Sequence, residues 1–113
     1  MKTKILIVED YPIVAMDLKN ELTKLGYEVT KIVNSQNGAM DSIDENEPDL
    51  IMMDIKLGKN QDGVEIAKLI QKRKKIPILY LTAYSDDDTM ERAFATNPVG
   101  YLIKPFKSED LKS

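Results

Sequence analysis

Apolar positions along the chain follow two rhythms that take turns. Ile5, Leu6, Ile7 and Val8 are unbroken, as in a strand buried on both faces rather than one with a wet side. Pro12 suits the first turn of a helix, and Val14, Leu18, Leu22 and Leu25 recur at helical spacing before Gly26. A strand over 4–8 and a helix over 11–25 follow. Residues 27–33 are rich in β-branched side chains and predict a second strand, after which Ser35 caps a short helix carrying Ala39, Met40 and Ile43 that ends before Pro48. The alternation then repeats: a third strand over 50–53, a helix from 63 to about 74 with Ile66, Leu69 and Ile70 on one side, and a fourth strand over 78–81 after Pro77. Ser85 followed by Asp86, Asp87 and Asp88 reads as a helix start, because a hydroxyl cap and carboxylates both favour the positive end of the helix dipole. Met90, Ala93 and Phe94 form its apolar stripe, Asn97 and Pro98 end it, and 101–103 is a fifth strand.

Strand and helix alternating without linker, repeat or low-complexity stretch predict an α/β domain over 1–113: a doubly wound, five-stranded parallel sheet with helices on both faces and right-handed crossovers. A fifth helix opens at Ser108, Glu109 and Asp110 but has about one turn before Ser113, too little to be stable alone. This truncated helix predicts apolar surface shielded by homodimerisation, by domain swapping or by residues outside this sequence.

The polar residues that interrupt this pattern fall in one place. Glu9 and Asp10 follow the first strand, Asp54 the third, Thr82 the fourth and Lys104 the fifth. In a parallel sheet those carboxyl ends share one edge, where open α/β folds bind ligands, so residues far apart in sequence converge. Taken singly, Asp10 is as well explained as a helix cap, Thr82 as a turn hydroxyl and Lys104 as a solvated cation; all five at equivalent ends make coincidence a poor account. The second strand contributes nothing comparable. Carboxylates brought within several Å raise one another's pKa values, so a stable arrangement calls for a cation among them or a lysine beside them. Oxygen-only ligands favour a hard ion, and Mg²⁺ commonly joins one or two carboxylates to phosphate oxygens. Aspartate is itself a nucleophile toward phosphoryl groups, a reaction carried mostly by positioning and charge stabilisation.

Composition narrows the chemistry further. The chain of 113 residues has no histidine, which removes the commonest general base, every histidine triad and most transition-metal sites, and no cysteine, which removes disulfides, zinc–thiolate centres and a thiol nucleophile. A net charge of −3 lacks the positive excess that direct nucleic-acid binding by this domain would need. The one basic run, Lys72-Arg73-Lys74-Lys75, lies at a helix end where cations complement the dipole. Apolar runs are too short for a membrane span and no signal peptide opens the chain, so a cytoplasmic protein is expected, in keeping with the absence of cysteine.

These residues resemble the receiver domains of two-component response regulators. The match covers nearly the whole chain: Glu9-Asp10 after the first strand, Asp54-Ile55-Lys56-Leu57 after the third, Asp62-Gly63 opening the third helix, Thr82-Ala83, and Lys104-Pro105-Phe106. The resemblance implies a flavodoxin-like (βα)5 fold and a phosphoacceptor switch. In it Asp54 takes the phosphoryl group, and Asp10 and Asp54 ligate Mg²⁺, with Glu9 acting directly or through water and Lys56 offering its backbone carbonyl. Thr82 would hydrogen-bond a phosphoryl oxygen, Lys104 would pair with another, and Tyr101 would change rotamer as Thr82 moves. Lys56 and Tyr84 would control water access to the phosphorylated site. The implied donor is a histidine kinase or phosphotransfer protein, since this chain has no histidine, and the implied outcome is a changed affinity for an output domain or target. The loop from Asp54 to Asp62 is one residue longer than the usual receiver loop and lacks its common proline, a departure that falls after Lys56.

Two rival readings differ in class. A phosphorylation-independent interaction module would keep the fold and bind by surface complementarity, but has no need of the acidic pair, Asp54, Thr82 and Lys104 together. A phosphatase of the haloacid dehalogenase type shares aspartyl-phosphate chemistry but expects an acidic residue two positions after its nucleophile, where this chain has Lys56. The expected protein is therefore not an enzyme.

Overall fold

The computed structural model describes residues 2–58, 61–82 and 87–103. Lys104, Tyr84, Ser85 and the fifth helix expected from Ser108 lie outside the described residues. In chain order the elements are β1 (Lys4–Val8), α1 (Pro12–Lys24), β2 (Glu28–Val33), α2 (Gln36–Glu45), β3 (Leu50–Asp54), β4 (Lys56–Leu57), β5 (Gln61–Asp62), α3 (Gly63–Arg73), β6 (Ile78–Thr82), α4 (Asp87–Phe94) and β7 (Gly100–Ile103). The main sheet has five strands in the order β2-β1-β3-β6-β7, and all four neighbour pairs are parallel. The chain winds outward in one direction from β1 and in the other from β3, so the topological switch point lies between these two strands.

The unbroken apolar strands are buried on both faces, as expected, with alternate residues serving different layers. Ile5 and Ile7 pack with Met52, Leu81, Leu102 and the α1 residues Ala15, Leu18 and Leu22. Leu6 and Val8 pack with Ile51, Met53, Ile78 and Tyr80, beneath Ala39 and Ile43 of α2, Val64, Ile66, Ala67 and Ile70 of α3, and Ala93 of α4. Helix α1 thus covers one face and α2, α3 and α4 the other. Three expected apolar stripes shift on inspection. The α1 stripe runs through Ala15 in place of Val14, and Leu69 and Phe94 are exposed, the buried faces of α3 and α4 running instead through Ile66, Ala67 and Ile70 and through Ala93.

A difference from expectation follows β3. The segment from Asp54 to Asp62, read as an uninterrupted loop, contains an antiparallel pair in which Lys56 faces Asp62 and Leu57 faces Gln61. Two residues per strand are too few for the period-2 pattern that identifies strands in sequence. Gly58 turns the chain between them with φ +62°, a conformation that costs glycine little. Leu57 is fully buried and so ties this hairpin to the core. The basic run is half absorbed by packing: Arg73 pairs with Asp44 at 2.8 Å and Lys74 with Glu47 at 2.5 Å, joining the ends of α3 and α2.

Candidate functional site

The strands deliver Glu9, Asp10, Asp54 and Thr82 to one sheet edge. Glu9 stands directly after β1, where its backbone N–H donates to the Val33 carbonyl at 2.9 Å and its Oε1 accepts from the Tyr11 N–H at 3.3 Å. Asp54 closes β3, on the other side of the switch point, and its Oδ1 accepts from the Lys56 N–H at 3.2 Å. Glu9 and Asp54 are buried and Asp10 half-buried, and one carboxylate oxygen from each lies within 4.8 Å of the others. Like charges at that separation repel by about 3–4 kcal/mol per pair at an effective dielectric near 20.

The donor set fits a hard divalent cation. All three candidates offer oxygen, and Asp10 Oδ1 is buried with no hydrogen-bond partner among the described residues. A buried carboxylate oxygen without a donor is costly unless a ligand supplies the missing positive charge. Gly58 lies beside this space: a Cβ there would sit at an ordinary contact distance of 3.9 Å from Asp10 Oδ2, so the glycine is favoured by its positive φ rather than by crowding.

Thr82 ends β6 and is buried, one position beyond Leu81, the residue paired with Asp54. Lys56 is exposed and reaches the site through its main chain. Tyr101 lies one strand further out, paired with Tyr80 on β6; its ring stacks on Tyr80 and meets the exposed Phe94 edge-on at 5.0 Å. Lys104 and Tyr84, the remaining expected members, are outside the described residues.

Sequence reading missed or undervalued three residues. Asn34, immediately after β2, lines a cavity of about 220 Å³ together with Glu9, Asp10, Pro12, Ile32 and Val33. The second strand therefore does contribute a polar end group, and its position after β2, matching that of Glu9 after β1, was the available signal. Gly63 packs so tightly on the end of β3 that a Cβ would lie 1.9 Å from the Asp54 carbonyl oxygen, while its own N–H donates to the Ile55 carbonyl at 2.7 Å. Arg92 on α4 reaches Asp62 Oδ2 at 2.6 Å, with Glu65 at 3.7 Å; the hydrogen bond to Asp62 is the main reason its pKa is raised further.

Comparison with known proteins decides the family. The profile of the response regulator receiver domain matches residues 5–113. The chain belongs to the response regulator receiver domain family. Among curated relatives of this receiver, the transcriptional regulatory protein PdtaR of Mycobacterium tuberculosis is 36% identical over 108 residues, covering 96% of this chain and 52% of that protein. An uncharacterized response regulatory protein of Vibrio cholerae is 31% identical over 111 residues, covering 96% of this chain and 41% of that one. The receiver thus spans about half the length, or less, of these relatives. Among solved structures, the signal receiver domain of a modulated diguanylate cyclase from Desulfovibrio desulfuricans superimposes with a TM-score of 0.90 at 34% identity, covering 99% of this chain and 89% of that one. The chemotaxis protein CheY4 of Vibrio cholerae gives 0.89 at 26% identity, covering 99% and 94%. The doubly wound fold expected from the alternating pattern, and flavodoxin-like as the family resemblance implies, is the fold of these neighbours. No helix among the described residues is long and apolar enough to cross a membrane.

Proposed function

We propose that this receiver is a Mg²⁺-dependent phosphoacceptor switch with Asp54 as the acceptor. The observation that carries the reading is the buried Asp54 carboxylate at the sheet's switch point, with carboxylate oxygens of Glu9 and Asp10 within 4.8 Å. Asp10 and Asp54 are the proposed direct ligands, with Glu9 acting directly or through water and the Lys56 carbonyl completing the protein's share. The ion would neutralise carboxylate and phosphoryl charge together. Asp54 attacks the donor phosphorus, the bond to the donor's leaving group breaks, and an acyl phosphate forms on the Asp54 carboxylate. The Lys56 N–H on Asp54 Oδ1 holds the carboxylate in orientation for that attack. Thr82 and Lys104 are the proposed hydrogen-bond donor and cation for the transferred phosphoryl oxygens, Thr82 and Tyr101 the switch pair, and Lys56 and Tyr84 the residues that govern water access.

The donor is a histidine kinase or phosphotransfer protein, because the chain has no histidine of its own. The receiver is one cytoplasmic domain without an enzymatic substrate of its own, and its product is a changed affinity for an output domain or target. Neither nucleic acid nor membrane is a direct partner of this domain.

Acetyl phosphate with Mg²⁺ tests the reading by mass spectrometry. One phosphoryl group is expected on the parent and none on Asp54→Ala. Equal labelling of that variant would end the phosphoacceptor reading, and no labelling of the parent would favour the phosphorylation-independent interaction module.

A further inference from the structure

The Asp62-Gly63 corner does two things at once. Asp62 Oδ1 accepts from the Val64 N–H at 2.8 Å and caps α3, while its Oδ2 accepts from Arg92 on α4 at 2.6 Å. The next residue, Gly63, is buried against the main chain of Asp54 and Ile55 and bonds the Ile55 carbonyl at 2.7 Å. Two hydrogen bonds and one steric contact therefore connect α4 to the backbone of the acceptor strand without passing through Thr82 or Tyr101. The C-terminal end of α4 is fixed separately: Thr96 Oγ1 donates to the Ala93 carbonyl at 2.7 Å and lies 2.7 Å from the buried Tyr80 hydroxyl, and Gln71 Nε2 donates to the Thr96 carbonyl at 2.8 Å. With that end held, the Arg92 tether is a polar contact through which movement at the Asp54 corner can reach the body of the helix, beside the apolar packing of Ala93.

We propose that Arg92 is a positioning residue that, through Asp62, couples α4 to the state of the Asp54 site. The coupling rests on the phosphoacceptor reading. A displacement of the Asp54 main chain is passed to Gly63, because a contact this close leaves no slack, and then to Arg92 through the charge-assisted bond. Asp62 and Arg92 are about two-fifths exposed, so salt should weaken the tether by screening.

Amide NMR with Mg²⁺ and beryllofluoride, a phosphoryl mimic, separates this coupling from the reading beneath it. The variants are Arg92→Gln, Asp62→Asn, which keeps the Oδ1 cap, and their combination, with Arg92→Lys as the conservative variant. In the parent, both the Ile55 and Gly63 amides and those of 88–94 are expected to shift. In Arg92→Gln and Asp62→Asn the local pair should still shift while the helix response falls by at least half. The double variant should be no worse than either single one, since all remove the same interaction, and Arg92→Lys should recover part of the response. A merely structural ion pair would lower the melting temperature and leave the helix response intact. A full helix response in both single variants overturns the coupling alone; a parent whose Ile55 and Gly63 amides ignore the mimic overturns the phosphoacceptor reading and the coupling with it.

Discussion

Tyr80 and Tyr101 lie side by side on β6 and β7 with ring centroids 6.0 Å apart and 25° between their planes, yet their hydroxyls differ in kind. The Tyr80 hydroxyl is 2.7 Å from Thr96 Oγ1, and because that threonine donates to the Ala93 carbonyl, Tyr80 is the donor between them. The Tyr101 hydroxyl is buried with no partner among the described residues. Removing a satisfied buried hydroxyl costs stability, whereas removing an unsatisfied one relieves a desolvation penalty. Tyr80→Phe should therefore lower unfolding stability by about 1 kcal/mol or more, and Tyr101→Phe should leave it unchanged or raise it by about 1 kcal/mol. Urea titrations of the two variants beside the parent check the opposite signs.

Burial pushes both phenols above their ordinary pKa. The folded state then keeps protons that the unfolded chain releases above about pH 10, so the folded state binds more protons there and stability falls with rising pH. Below that pH both states carry the proton and the contribution is constant. Melting temperature should drop once pH passes about 10, and Tyr80→Phe should flatten the drop more than Tyr101→Phe, since the Tyr80 ring is completely buried. Thermal melts between pH 8 and 11 give the answer.

Much of this was legible in the sequence because it depends on local rules. The apolar runs at 5–8 and 50–53 announced strands, and Glu9, Asp10, Asp54 and Thr82 stood out because polar residues directly after such runs must share an edge. The β4–β5 hairpin was illegible, since two-residue strands carry no periodicity. The Arg92–Asp62 bridge joins residues thirty positions apart on two helices' worth of surface, and nothing in a single sequence says which of sixteen cations meets which of nineteen carboxylates. Asp62-Gly63 was visible as a helix start, but the steric demand on Gly63 comes from the Asp54 backbone, which only the packed fold brings there.

The crowded carboxylates make a linked prediction about Asp10. Without divalent ion, Asp10→Asn removes one charge from a cluster whose members repel, and should stabilise the fold by about 1 kcal/mol after allowance for solvent screening at this half-buried residue. With millimolar Mg²⁺ the order should reverse: the parent gains stability from an ion that binds only the folded state, and the variant gains much less. Melting curves with and without Mg²⁺ for both proteins test this. A parent indifferent to Mg²⁺ would remove the metal site from this cluster.

Gly63→Ala should be the most damaging small substitution in the receiver. Its Cβ would fall 1.9 Å from the Asp54 carbonyl oxygen and 2.9 Å from both the Asp54 carbonyl carbon and Ile55 Cα, all main-chain atoms held by the pairing of β3 with β6 and by the Ile55 N–H bond to the Leu81 carbonyl. No rotamer can relieve such a clash, so the α3 start must retreat or the end of β3 must bend, at a cost of about 3 kcal/mol or more. Bending β3 also displaces the Asp54 carboxylate, so the folded fraction should accept phosphoryl groups from acetyl phosphate much more slowly. Gly100→Ala is the control: its Cβ would meet only Leu79 Cδ1 at an ordinary 3.8 Å, and alanine in a strand is no worse than glycine. Urea stability together with the phosphorylation rate per folded molecule decides it, and a Gly63→Ala protein as stable and as reactive as Gly100→Ala would show that α3 is not seated on the end of β3.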